Sequence, residues 1–451
     1  MDFAGTTRNY FITAGRGTEI FASSEIERNG ITGSEFIEVI DGKVFFESTL
    51  NTEILKLTIT ERLFIEITRL KNLSLPRNKG KSYKILNDSL ADKQTWLSAY
   101  SDWRYYQSTS ELNDDDVAAK SGEISKHALF SGEQQKCPSK TLKRNVEECH
   151  LQSECLTDRK RDLPTFRVSC KIAGKHGKMF SNHELSKMFG KIISEKSGWK
   201  VDLKSPKLEI FCQLNDDHLL IGIPLTKQPL SKRSYIKKVG LRSTIAAIMV
   251  HEANIQDGYT VVDPMCGKVT ILIEAAKKHK NAQFIGCDLS CSQIHDAAEN
   301  VLYSKTNHNI ELIQADVKCL SLKSSSVDSI VCDVPFGMKH GDSNSVIRLY
   351  PEMVKEMDRV SVPGGRIVIL TSMNLRSLLL SSVTKTEQSE QHSSATTTGM
   401  GNITSPPLDN GDSETCSNFR ANWTILSLHY LKLGETHACL CVFEKRCSDK
   451  S

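Results

Sequence analysis

The chain has 451 residues, enough for two or three domains with a sizeable core. Its 58 Lys and Arg against 54 Asp and Glu leave a formal charge of +4, which excludes a whole-chain polycation and confines any nucleic-acid surface to a local patch. No apolar run approaches the ~18 residues of a spanning helix; Met1-Asp2-Phe3-Ala4-Gly5 lacks the regions of a secretory leader, and the 14 scattered Cys then read as reduced thiols, so a soluble protein of the cytosol or nucleus is expected.

Residues 8–14 have the pattern of a strand, and Gly15-Arg16-Gly17 leads into a helix over 18–28. Strands follow at 36–40 and 43–47 around the turn dipeptide Asp41-Gly42, then a helix over 54–59 and a strand over 63–67. This β-α-β-β-α-β order predicts a small split α/β sandwich within an N-terminal domain of residues 1–108. Trp96 to Trp103 carries large apolar groups at helical spacing, and that helix is expected to dock on the sandwich. Residues 109–162, with Asn113-Asp114-Asp115-Asp116, form a polar linker.

Order returns with an alternating strand at 165–171, a helix over 182–196 and strands at 208–212 and 219–223. Lysines crowd this module, residues 163–230. Charge of one sign on one module is the footprint of phosphate binding, for which Lys175, Lys178, Lys187, Lys191 and Arg233 are candidates. His176, His183 and His218 read as surface or RNA-contacting side chains.

From residue 231 a β/α alternation begins: strands at 259–263, 284–288, 310–314, 327–332 and 366–370, with helices between them. That alternation predicts a parallel, doubly wound sheet. A polar insert at about 384–420 precedes two closing strands, 423–431 and 437–444. Cys439 and Cys441 share one face of the last strand as small apolar groups, and no metal site is expected.

Four carboxylates fall at successive strand ends. Asp263-Pro264-Met265-Cys266-Gly267-Lys268-Val269-Thr270 joins a strand to a helix, where Gly267 permits close backbone approach and the helix start offers free N–H groups. Asp288 is placed to accept hydrogen bonds from ribose hydroxyls, and Asp316 from an adenine amine. Asp333-Val334-Pro335-Phe336 then presents a carboxylate, a carbonyl aimed by a rigid Pro, and a ring, which together suit a flat planar amine.

This pattern resembles the S-adenosylmethionine-dependent methyltransferases with a Rossmann-like sheet, and Asp333-Val334-Pro335-Phe336 looks like their signature for methylating exocyclic amines of bases. Thr13-Ala14-Gly15-Arg16-Gly17, Gly42-Lys43-Val44-Phe45-Phe46 and Gly240-Leu241-Arg242-Ser243-Thr244-Ile245-Ala246 resemble the THUMP-containing guanosine methyltransferases. The resemblance implies a ferredoxin-like domain and a THUMP domain ahead of the catalytic domain (residues 231–451). It makes Asp333, Pro335 and Phe336 catalytic, and it adds Arg242, Ser243, Thr244 and Met265 to Asp263, Gly267, Thr270, Asp288 and Asp316 at the cofactor. It also implies N2-methylation of guanosine in a small structured RNA, U6 spliceosomal RNA ahead of transfer RNA. A small zinc-binding activator subunit on the catalytic sheet's edge and a nuclear location are implied as well. Val269 stands where the family's loop has a second Gly. A β-branched side chain there is expected to weaken cofactor binding, and it leaves a weakened RNA-binding homologue as the alternative.

Overall fold

The structure is a computed structural model that describes residues 7–118, 163–216, 218–336, 343–383 and 421–447, the side chains of 110–118 and 343–347 apart. Most of the expected linker and the whole of the expected insert lie outside the described residues.

The chain opens with β1 (Arg8–Thr13), α1 (Glu19–Arg28), β2 (Ile37–Ile40), β3 (Lys43–Ser48) and β4 (Arg62–Lys71). Then come α2 (Lys79–Ser89), α3 (Lys93–Ala118), β5 (Thr165–Ile172), α4 (Asn182–Ser197), β6 (Lys200–Val201), β7 (Leu208–Leu214) and β8 (His218–Pro224). The remainder alternates: α5 (Ser243–Glu252), β9 (Thr260–Asp263), α6 (Thr270–Lys278), β10 (Gln283–Asp288), α7 (Cys291–Ser304), β11 (Ile310–Gln314) and β12 (Val327–Asp333). It closes with α8 (Ser343–Val360), β13 (Ser361–Ser372), α9 (Arg376–Val383), β14 (Trp423–Leu433) and β15 (Thr436–Lys445). Two compact units result, one of Met1–Phe64 with Thr226–Ser451 and one of Ile65–Leu225.

In the first unit β3 pairs antiparallel with both β1 and β2. The consecutive buried apolar residues of β1 send rings to both faces of the strand: Phe11 stacks on Phe64 at 4.6 Å and Tyr10 on Phe46 at 5.5 Å. The second expected helix shrinks to one 3₁₀ turn, Thr52–Lys56, started by the Asn51 side chain accepting from Glu53 N–H. Past it the chain is held by Glu25, whose carboxylate accepts the N–H groups of Thr58 and Ile59 at 2.8 and 2.9 Å.

The same unit contains the seven-stranded sheet β11-β10-β9-β12-β13-β15-β14. Its first five strands run parallel, and β15 and β14 close it as an antiparallel hairpin. A parallel sheet needs its faces covered, and on one of them Ile330, Cys332, Ile367, Ile369, Cys441 and Phe443 pack with Tyr350, Met353, Val354 and Met357 of α8. Strand order reverses between β9 and β12, and the crevice beyond those carboxyl ends is where open α/β sheets bind ligands.

The second unit pairs β5 with β6 and β7, parallel, and β7 with β8, antiparallel. The Ser181–Glu184 capping box starts α4, and Gly198 ends it at φ +79. Trp199 gathers the aromatic rings of this unit: Trp96 and Tyr100 of α3 meet it edge-on at 5.7 and 5.6 Å, and Phe166 of β5 at 6.2 Å. The helix of Trp96 thus packs within this unit, where burial of its rings against Trp199 holds it. His176 and His218 correct the sequence reading, for both are buried. His176 makes contacts with the backbone of Asn215 at 3.1 Å and of Leu75 at 3.4 Å.

Candidate active site

A cavity of about 800 Å³ lies at the β9/β12 switch point, a volume within the range of cofactor pockets. Asp263 and Asp333 enter it from the two strand ends, Asp288 from β10, and Met265, Gly267 and Thr270 from the turn before α6. Pro335 and Phe336 follow Asp333 along the wall, and Leu433 and Thr436 of the β14–β15 turn complete it.

The cofactor turn is built mainly by backbone. Gly267 sits at φ +51 and donates its N–H to Asp288 Oδ2 at 2.9 Å, while Asp288 Oδ1 accepts from Ser290 N–H at 2.9 Å. Cys266 N–H donates to Cys287 C=O at 2.7 Å, which fastens the turn to β10. Val269, fully buried, occupies the left-handed region at φ +59 and ψ 24 as the residue preceding α6. The conformation a glycine would take is therefore kept despite the β-branched side chain, at a strain of about 1–2 kcal/mol.

Asn300 on α7 holds that strained turn. It is wholly buried; its Oδ1 accepts the N–H groups of Lys237 and Lys238 at 3.2 and 2.7 Å, and its Nδ2 donates to the carbonyls of Lys238 and Lys268 at 2.8 and 2.9 Å. Every hydrogen-bonding position of the amide is used, tying residues 237 and 238 to the residue before Val269. Gly240 comes so close that a Cβ there would lie 2.9 Å from Thr270 Oγ1. Nothing singled out Asn300 in the sequence. The available signal was a polar residue on the buried stripe Ala297, Asn300, Val301, Ser304 of α7.

The electrostatics favour a cation. Burial, and then the charges of Asp333 and Asp288, push the Asp263 carboxyl well above the usual carboxylate range. Burial alone lifts Asp333 from 3.8 to about 7, and among the described residues no group donates a hydrogen bond to it. The Cys266 thiol is pushed up by burial and by the neighbouring carboxylates, which removes it as a nucleophile. A buried hydroxyl, Thr270 Oγ1 at the start of α6, has no partner among the described residues. An anionic acceptor at the helix start and a cationic centre among three carboxylates is the charge layout of S-adenosylmethionine, with its α-carboxylate, ammonium and sulfonium, so the residues fit that group.

Four of the expected cofactor residues do not line the cavity. Arg242 pairs with Glu61 at 3.3 Å, Thr244 Oγ1 donates to Glu61 at 2.8 Å, and Ser243 hydrogen-bonds to Glu274. Asp316 folds back on its own chain, accepting from Lys318 N–H at 3.0 Å. Arg233 is a correction. Its guanidinium, 6% exposed, is bound to Glu274 at 3.0 Å and to the carbonyls of Thr58 and Leu230, so a phosphate cannot reach it. The Lys175, Lys178, Lys187 and Lys191 side chains of the second unit are exposed, with Lys191 above the Tyr83 ring at 5.1 Å.

The parallel sheet with its antiparallel hairpin and the carboxylates at the ends of β9, β10 and β12 define a Rossmann-like S-adenosylmethionine-dependent methyltransferase. A family model of the RMKL-like methyltransferase domain matches residues 231–398, and one of the THUMP domain matches residues 146–223. U6 snRNA (guanine-N(2))-methyltransferase THUMPD2 of Bos taurus is 36% identical over 398 residues, 80% of this chain and 78% of that protein. tRNA (guanine(6)-N(2))-methyltransferase THUMP3 of Homo sapiens is 27% identical over 412 residues, 80% of each chain. TrmN from Thermus thermophilus shares the fold at a TM-score of 0.62 and 19% identity, over 98% of this chain and all of that one. The chain belongs to the THUMP-containing RNA guanine-N2-methyltransferases.

Proposed function

We propose that the protein forms N2-methylguanosine in U6 spliceosomal RNA. The observation that carries the chemistry is the Asp333-Val334-Pro335-Phe336 strand end, opening into the same cavity as the Gly267–Thr270 turn. The choice of RNA follows the likeness to the bovine U6 enzyme over most of both chains.

The exocyclic amine of guanine is a poor nucleophile, because its lone pair is delocalised into the ring. The Asp333 carboxylate and the Pro335 carbonyl accept its two hydrogens, which favours the pyramidal form, and Phe336 stacks on the base. S-adenosylmethionine, when bound, supplies an electrophilic methyl group on its sulfonium. Thr270 and the start of α6 hold the anionic end of that group, and Asp288 retains lone pairs for ribose hydroxyls. Asp333 is also placed to take the proton released as the N–C bond forms. Positioning contributes most of the acceleration. The exposed lysines of the second unit grip RNA by phosphates and shape. A zinc-binding activator subunit on the sheet edge and a nuclear location belong to the same proposal.

The test incubates the protein and its Asp333→Ala variant with S-adenosylmethionine and either a U6 or a transfer RNA transcript, then digests the RNA to nucleosides. N2-methylguanosine in U6, lost in the variant, supports the proposal. The modified nucleoside in transfer RNA alone would move the substrate to the second reading. None in either, with RNA still bound, would leave a weakened RNA-binding homologue.

A further inference from the structure

The Gly15-Arg16-Gly17 loop stands out in the sequence, yet the methyl-transfer chemistry makes no use of it. In the first unit it walls a second cavity, of about 610 Å³, opposite Asn374, Tyr430, Lys432 and His437. The wall is fixed in place. Glu19, 8% exposed, accepts the N–H of Gly17 at 2.7 Å and of Gly42 at 2.6 Å, and Lys432 N–H donates to Arg16 C=O at 3.0 Å. Gly17, at φ +85, lies so near β14 that a Cβ would meet the Tyr430 carbonyl oxygen at 2.1 Å.

The lining holds three basic side chains, Arg16, Lys432 and His437, and no carboxylate. Among the described residues the Lys432 ammonium and the His437 ring have no hydrogen bond or ion pair. Among the described residues Arg16 forms an ion pair only with Asp41, at 2.7 Å, and both side chains are 62% exposed. Such an exposed pair contributes little and yields readily to a phosphate. Arg376, above the Tyr430 ring at 5.5 Å, adds a further cation beside it. One hairpin turn joins the two cavities: Leu433 and Thr436 line the first, Lys432 and His437 the second.

We propose that the second cavity binds the phosphodiester of a nucleotide flanking the target guanosine, so that the RNA strand crosses the β14–β15 turn between them. This rests on RNA methylation at the first cavity. The test compares the full-length protein with its Arg16→Gln/Lys432→Gln variant on a U6 transcript. The KM for RNA is expected to rise about tenfold and the salt slope of RNA binding to fall by about 2, one for each cation removed from the phosphates. S-adenosylmethionine affinity, the control for folding, stays unchanged. A methylphosphonate beside the methylated guanosine penalises the natural protein and not the variant. An unchanged KM and salt slope, or an equal methylphosphonate penalty in both proteins, overturns the proposal. Absence of methyl transfer by the natural protein would count against the activity on U6, while the salt slope still decides the cavity.

Discussion

Two strand ends face each other across the active cavity, and they tolerate change differently. After β9, the turn from Asp263 to Thr270 acts through its backbone, so Val269 can replace a glycine provided φ stays at +59. After β12, the role proposed for Asp333 depends on its side chain, which among the described residues accepts no hydrogen bond. Backbone function withstands substitution at the cost of strain, whereas side-chain function does not. The strained end accordingly carries the denser scaffold: Asn300 saturated against Lys237, Lys238 and Lys268, and Arg233 buried against Glu274 on α6.

The sharpest way to break this contrast is at Asp333. Asp333→Ala is expected to lower methyl transfer by about 10²–10⁴-fold, the range for a positioned acid–base group, with cofactor and RNA affinity retained. A retained rate in single-turnover assays would remove Asp333 from the chemistry. The pH profile follows from the same group. With its carboxyl raised to about 7, kcat/KM for S-adenosylmethionine should fall about tenfold per pH unit below that value, as the proton returns. Between the ordinary 3.8 and about 7 the folded chain holds a proton that the unfolded chain has released. This group's contribution to stability therefore falls as pH rises through that window, opposite to its effect on rate. Asp333→Asn should flatten both trends, which urea titrations and initial rates at several pH values check.

On the scaffolded side, Arg233→Ala strands Glu274 as a buried charge and should cost about 3–5 kcal/mol of stability. Chemical denaturation reads this directly; a variant that folds normally but binds RNA poorly would restore Arg233 as a phosphate ligand. Asn300→Ala should cost about 1–3 kcal/mol and weaken S-adenosylmethionine binding. In the Val269→Gly background that binding loss should shrink, because no strained turn is left to hold, with a coupling of about 0.5–3 kcal/mol. Additivity in the double-mutant cycle would mean that Asn300 does not support the turn.

Val269→Gly is the smallest effect. It relieves about 1–2 kcal/mol of left-handed strain but removes a fully buried side chain, which is worth about 1.5–3 kcal/mol. A net loss of stability of about 1 kcal/mol is expected, with a change in cofactor affinity under about tenfold.

Much of the catalytic sheet is legible in the sequence, because β/α alternation and turn chemistry are local signals. The carboxylates at 263, 288 and 333 converge as the series of strand ends suggests. Asp316 does not, since a spare carboxylate folds back to the nearest free N–H, here Lys318, and spacing is blind to that choice. Arg233 looks like a phosphate ligand in the sequence because composition reports charge and not burial; its partners Thr58 and Glu274 lie 175 and 41 residues away. The docking of α3 is hidden likewise, for Trp199 is one aromatic among many until the fold brings Trp96, Tyr100 and Phe166 around it.

The most direct measurement is calorimetric titration of S-adenosylmethionine into the natural protein, beside Val269→Gly. Micromolar binding by the natural protein, changed little by the glycine, is expected if the left-handed Val269 preserves the turn. Binding that appears only in Val269→Gly would contradict this, and would mean that the valine has closed the site.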